Sequence, residues 1–220
     1  MLSVQYSAAK ANETMTLTAT RPASADTANT QATARRAMID SQLRVSGVNE
    51  EWVLAAMARV PREDFVPESA RGHAYIDRAI PLDGAHALPA PLVAGMMLVE
   101  AAPQADDRVL LVSCGSGYLG ELLRPQVEVL DTVSAADAAA QAKGMGQYSL
   151  ILVDGAIEHL PAGLAGELAE GGRIITGLVE RGVTRLAAGR KQGGEVALLP
   201  LAEIGIPVLR EFAAPKRWSF

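Results

Sequence analysis

The residues best suited to chemistry cluster between positions 107 and 155. Asp107-Arg108-Val109-Leu110-Leu111-Val112 is a short apolar run bounded by charge, the pattern of a buried parallel strand. It leads into Ser113-Cys114-Gly115-Ser116-Gly117-Tyr118-Leu119-Gly120 and a short helical stretch to Leu123. Glycines at a strand-to-helix turn let backbone N–H groups approach a ligand beyond the strand ends. Gly115, Gly117 and Gly120 spell G-x-G-x-x-G, a weak signal alone but here with a strand before it and a helix after it. Asp131 closes an expected second strand, Val127–Asp131, where an acid would bind ribose hydroxyls. Its spacing from the glycines is somewhat short of the ~20 residues of an NAD site. The alternative is a tight strand–helix turn that holds no ligand.

Other candidates carry less signal. His86 sits in a loop, Pro81–His86, and could orient a carboxylate or be an ordinary half-exposed histidine. Cys114 is the single cysteine, which excludes an internal disulfide and a Cys-based zinc site. With no basic partner readable beside it, it reads as a packed residue rather than a nucleophile. His73 and His159 lack metal-ligand spacing, so no metal is expected.

The elements that must position these residues fill one domain. The chain has 220 residues, 49% of them hydrophobic, enough for a self-supporting core. A net charge of −5 argues against an overall basic nucleic-acid footprint. No apolar run reaches the ~18–20 residues of a membrane span, and the first residues lack a secretory pattern. These features suggest a cytoplasmic protein with neither nucleic acid nor membrane as partner. Residues 1–33, rich in Ala, Thr and Ser, predict a flexible tail. Residues 34–220 then form a single domain, helical over 34–104 and α/β over 105–220. Periodicity predicts helices over Ala34–Gly47 and, behind an Asn49 N-cap, over Trp52–Val60. A short helix over Glu68–Ala74 and a buried one over Leu92–Val99 behind Pro89 and Pro91 follow. Strands at Tyr148–Val153 and Arg173–Val179, a helix over Ala162–Glu170 and a hairpin of Thr184–Arg190 with Glu195–Leu201 complete the pattern. It is that of a mostly parallel doubly wound sheet with an antiparallel C-terminal hairpin. The terminal Lys216-Arg217-Trp218-Ser219-Phe220 is expected to pack on the sheet.

Several words of this sequence bear on family. They are Met38-Ile39-Asp40-Ser41-Gln42-Leu43-Arg44, Val60-Pro61-Arg62-Glu63-Asp64-Phe65-Val66-Pro67, Ala74-Tyr75-Ile76-Asp77, Gly115-Ser116-Gly117-Tyr118, Asp154-Gly155-Ala156 and Leu168-Ala169-Glu170-Gly171-Gly172-Arg173. Through them the stretch from Ala34 to about Val179 resembles the protein-L-isoaspartate O-methyltransferases, and more closely their shortened bacterial relatives. The resemblance implies a Rossmann-like class I methyltransferase sheet of seven strands, S-adenosyl-L-methionine as cofactor, and repair of isoaspartyl residues in proteins or peptides. It would put Ser113, Gly115, Gly117, Tyr118 and Asp131 at the cofactor, and Asp154 near the cofactor side of the crevice.

The departures from the resembled pattern are specific. The family's Thr-Ile-Ser-Gln-Pro type of word is Ala87-Leu88-Pro89-Ala90-Pro91 here, so both hydroxyls are gone. The acid before the glycine loop is Leu111, and the loop's first glycine is Ser113. Between Tyr118 and Tyr148 there is room for one strand and two short helices, so one strand–helix step, with the family's Gly-Asp-Gly word, reads as deleted or collapsed. The expectation is a weak carboxyl methyltransferase. Its rivals are a non-catalytic binding module on the same fold and an NAD-binding protein, the latter disfavoured by the spacing to Asp131.

Overall fold

The computed structural model describes residues 23–82, 84–141 and 146–214. Helix α1 (Ala23–Met38) runs into a π-helical turn, Ile39–Leu43, and a 3-10 turn that ends at Gly47. Residues 23–33, expected to be tail, are thus the first turns of α1; the rest of that segment lies outside the described residues. Met38, Ile39 and Leu43 are buried at its far end. They anchor a stretch whose own composition could not hold a helix. Gln31 Nε2 also donates to Arg71 O at 3.0 Å. Helix α2 (Glu51–Arg59) has Glu50 rather than Asn49 at its N-cap and buries Val53, Leu54, Ala56 and Met57. Its end falls just before Pro61, which cannot continue it. The Arg62–Phe65 connector between two prolines is a 3-10 turn, as is Glu68–His73.

Two-residue strands β1 (Ile80–Pro81) and β2 (Ala87–Leu88) pair antiparallel and frame the loop that carries His86. Helix α3 (Pro91–Ala101) starts with proline in its first turn and is apolar nearly all round. Its first turn is tied down by Asp77 Oδ1, which accepts the Leu92 N–H at 3.3 Å.

The back half is β3 (Arg108–Ser113), α4 (Tyr118–Leu123), β4 (Val129–Ser134), α5 (Ala135–Gln141), β5 (Tyr148–Ile157), α6 (Ala162–Glu167), β6 (Leu168–Glu180), β7 (Val183–Gln192) and β8 (Glu195–Glu203). The sheet order is β4-β3-β5-β6-β7-β8. The first four strands are parallel, and β7 and β8 add the expected antiparallel hairpin. Among the described residues only β4 and α5 separate α4 and its trailing 3-10 turn from β5, so the shortened step leaves six strands rather than seven, with β4 at the edge directly against β3. At the opposite end of the strands Arg173 clamps the sheet. Its Nη2 reaches Asp107 Oδ2 at 2.6 Å and its Nε the Ala101 carbonyl at 2.7 Å. Burial of Asp107 opposes its charge, yet Arg173, Ser149 and the Gln104 N–H together hold its pKa below the usual carboxylate range.

Strand β4 spans Val129–Ser134, not Val127–Asp131, and its register pairs Leu110 with Asp131 and Ser113 with Ser134. Asp131 therefore lies in mid-strand, three residues short of the carboxyl edge, where it accepts the Tyr148 hydroxyl at 2.8 Å. The β-branched Thr132 and Val133 carry the strand onward. It stops at Ser134, whose Oγ accepts the Asp137 N–H at 3.0 Å and donates to Asp137 Oδ2 at 2.7 Å, capping α5. The expected packing of Lys216–Phe220 lies outside the described residues.

Candidate functional site

The site forms at the carboxyl edge of β3 and β5, under the connector that leaves α2. Gly115 and Gly117 hold φ of +98° and +77°, left-handed values that cost other residues roughly 1–2 kcal/mol. The turn is fixed from within. Ser113 Oγ accepts the Gly115 N–H at 2.9 Å, and Ser116 Oγ accepts the Tyr118 N–H at 3.2 Å. Beyond its own chain neighbours, no atom of the described residues lies within 4 Å of the place a Gly115 side chain would occupy. The loop opens instead into a cavity of about 360 Å³, lined among others by Asp64, Phe65, His86, Cys114, Gly115 and Ser116. That volume lies in the range of small-ligand sites.

Beneath the loop is a buried polar cluster. At β5, three residues (Val153, Asp154 and Gly155) oppose the single Thr176 of β6. This bulge re-aims the strand and turns Asp154 inward. The Asp154 carboxylate, only 2% exposed, accepts the Cys114 thiol at 3.0 Å. Burial pushes the Asp154 pKa up to about 6, even though Cys114 and the Arg62 guanidinium favour its charge. The Cys114 thiol is pushed up as well, by burial and by Asp154, so it is no nucleophile.

Arg62 is fully buried. Its Nε donates to Ala74 O at 2.8 Å and its Nη2 to Pro89 O at 2.5 Å. Its guanidinium carbon stands 5.0 Å from the centre of the Tyr118 ring. Burial pulls its pKa down, and Asp154 is among the groups that resist. Arg62 Nη1 and Tyr118 Oη are buried without a partner among the described residues. Tyr118 was expected at the cofactor. Its ring is fully buried and packs at a tilt on Phe65, 5.5 Å between centres, so it supports the cavity wall from behind.

The C-terminal segment closes the far side. Leu209 packs over Gly155, where any side chain would come within 2.6 Å of Leu209 Cγ. Backbone bonds Ala156 N→Pro207 O (2.7 Å) and Leu209 N→Ala156 O (2.8 Å) lock it to β5. Next in line, Glu211 Oε1 meets His86 Nε2 at 2.8 Å. The structure thus gathers Ser113, Gly115, Gly117, Asp154 and His86 at one edge and leaves Asp131 below it. Arg62 and Glu211 were not singled out from the sequence. Arg62 stands in the Val60–Pro67 word, a usable signal. Glu211 has none, because only the fold brings it 125 positions back to His86. Among the described residues no group of three or more His, Cys, Asp or Glu could hold a metal ion, and no helix is long and apolar enough to cross a membrane.

A parallel sheet with a glycine loop at its carboxyl edge, covered by a helical front half, defines an α/β protein of the Rossmann-like methyltransferase type. The family model for protein-L-isoaspartate(D-aspartate) O-methyltransferase matches residues 33–141. The protein-L-isoaspartate O-methyltransferase of Methanoculleus marisnigri is 30% identical over 203 residues, covering 81% of this chain and 92% of that protein. The one from Roseiflexus castenholzii is 33% identical over 165 residues, covering 64% of this chain and 75% of that protein. In fold, the chain is similar to a Plasmodium falciparum protein-L-isoaspartate O-methyltransferase solved in complex with S-adenosyl-L-homocysteine. The TM-score is 0.66 at 18% identity, covering 82% of this chain and 98% of that one. The chain belongs to the protein-L-isoaspartate O-methyltransferase family.

Proposed function

We propose that this protein is an S-adenosyl-L-methionine-dependent carboxyl methyltransferase acting on isoaspartyl residues of proteins and peptides. The observation that carries the reading is the Gly115–Gly117 loop opening into the 360 Å³ cavity beneath the Arg62–Phe65 turn. The residues present fit the cofactor at that loop, where the absence of a side chain on Gly115 leaves room for close backbone approach. Ser113 and Ser116 hold the loop's shape, and Asp154 lies beneath it with Cys114 between. The ribose end is different: Ser134, not an acid, stands at the end of β4.

When bound, S-adenosyl-L-methionine supplies a methyl group on a sulfonium, and transfer to a carboxylate oxygen leaves a methyl ester and S-adenosyl-L-homocysteine. The acceptor carboxylate is already ionised at neutral pH, so the chain needs no strong general base. Its task is to orient the carboxylate and exclude water. Phe65, Val66, Pro67 and Leu82 form the apolar wall that does the second. Ala87 and Pro89 bring no hydroxyl to the first, so turnover is slow. A calorimetric titration with S-adenosyl-L-homocysteine tests the reading, with saturable one-to-one binding expected. A second reading, a non-catalytic module on the same fold, draws on the mid-strand position of Asp131. It gains if the titration shows no heat of binding.

A further inference from the structure

We propose that His86, held by Glu211, receives the acceptor carboxylate. This rests on the methyltransferase reading above. A carboxylate in the cavity needs a donor, and the polar side chains lining it are few. Asp64, at the exposed rim, is an anion. The Cys114 thiol is given to Asp154. Ser116 Oγ lies in the turn of the glycine loop, within 3.5 Å of Cys114 Sγ. His86 is the one lining side chain, among the described residues, that carries a positive charge when protonated.

Its orientation is set from outside the cavity. Glu211 Oε1 accepts the hydrogen bond of Nε2–H at 2.8 Å, while Nδ1 has no hydrogen-bond partner among the described residues. Among the described residues Glu211 Oε2 is itself buried without a partner, and His86 is the only counter-ion Glu211 has. Leu209 and Phe212, at 1% and 0% exposure, fix the turn that carries Glu211, so the imidazole is aimed rather than free.

With Glu211 on Nε2, a carboxylate that arrives at Nδ1 together with a solvent proton completes a row of anion, imidazolium and anion. One acceptor oxygen takes the Nδ1–H bond and the other is left to attack. The oxygen–carbon bond forms as the carbon–sulfur bond breaks, and no proton moves. Among the described residues, the charges around His86 are Glu211 on its far side and Asp64 at the rim, with Asp154 beneath Cys114 balanced by Arg62. His86 is a positioning residue in this scheme, and its effect belongs in acceptor binding rather than in the rate of the bound complex.

The experiment compares the full chain with His86→Ala, His86→Gln, Glu211→Gln and the His86→Ala/Glu211→Gln double variant. Three quantities are read: binding of a fluorescent isoaspartyl peptide in saturating S-adenosyl-L-homocysteine, the split between KM and kcat, and the Kd of S-adenosyl-L-homocysteine alone. His86→Ala should weaken peptide binding and raise KM tenfold or more, with cofactor-product Kd changed less than twofold. Glu211→Gln should do the same three- to tenfold. The double variant should be no worse than His86→Ala, because Glu211 acts only through His86. His86→Gln, which keeps a donor of similar reach, should recover part of the loss and serves if the alanine variant does not fold. Equal peptide binding by wild type and both His86 variants overturns the proposal and leaves the methyltransferase reading standing. Failure of the wild type to bind the peptide at all overturns both.

Discussion

Replacing Asp154 with asparagine should make the protein more stable at neutral pH, although it removes a hydrogen-bonded residue from the floor of the site. The carboxylate is buried, and its folded pKa of about 6 stands against 3.8 for a free aspartate. Below pH ~3.8 the group is protonated in both states and costs nothing. Between ~3.8 and ~6 the folded chain keeps a proton that the unfolded chain has released, so stability falls as pH rises. Above ~6 the cost is complete. Two pKa units correspond to about 3 kcal/mol, a figure that already includes the attraction of Arg62. Asparagine has nearly the same shape and no charge, and its Oδ1 can still accept the Cys114 thiol. Urea denaturation of wild type and Asp154→Asn should therefore give stabilities within about 0.5 kcal/mol of each other at pH 4 and a gain of about 2–3 kcal/mol for the variant at pH 7.5. For a chain of this size that is roughly 5–10 °C in Tm. A variant less stable than wild type at pH 7.5 would refute the reasoning, since it would mean that the Arg62–Asp154 attraction outweighs desolvation.

Three further outcomes follow from the geometry. Gly115→Ala puts a side chain into the open space over the loop at φ +98°, and should weaken S-adenosyl-L-homocysteine binding at least tenfold by calorimetry while costing roughly 1–2 kcal/mol of stability. Asp131→Ala should change that same Kd less than twofold, because the carboxylate is bound to Tyr148 in mid-strand; a tenfold loss would place the adenosine along β4 after all. Arg62→Ala removes two charged hydrogen bonds to the Ala74 and Pro89 carbonyls, worth about 1.5–3 kcal/mol each. It should lower Tm by about 10 °C or more in a thermal melt, and an unchanged Tm would show that the buried guanidinium contributes nothing net.

The parts of the fold legible in the sequence are those where local pattern and burial agree. The apolar run Val109–Val112, the proline-led helix α3 and the Gly193-Gly194 hairpin turn all stand where periodicity and turn chemistry put them. The shortened middle was legible from the short stretch between Tyr118 and Tyr148 set against the pattern of the resembled family. The end of β4 was not. Asp131 has the type and place of a strand-terminal acid, but the strand continues through Thr132 and Val133 to the Ser134 cap, a competition between strand propensity and capping that local reading decides poorly. The beginning of α1 was missed for the opposite reason: residues 23–33 lack an apolar face, and the buried Met38–Leu43 end stabilises them as helix. At the site, the glycine loop was legible because its conformation demands glycine. The Asp154 bulge, the Arg62 cluster and the His86–Glu211 pair depend on contacts between distant segments, which residue type and spacing do not encode.

The most direct measurement is transfer of a labelled methyl group from S-adenosyl-L-methionine to two peptides of one sequence, one with an isoaspartyl residue and one with the ordinary aspartyl residue. The chain should label the isoaspartyl peptide slowly, as a base-labile ester released as methanol, and leave the aspartyl peptide unlabelled. Equal labelling of both peptides, or no label on either at saturating cofactor, would contradict the account.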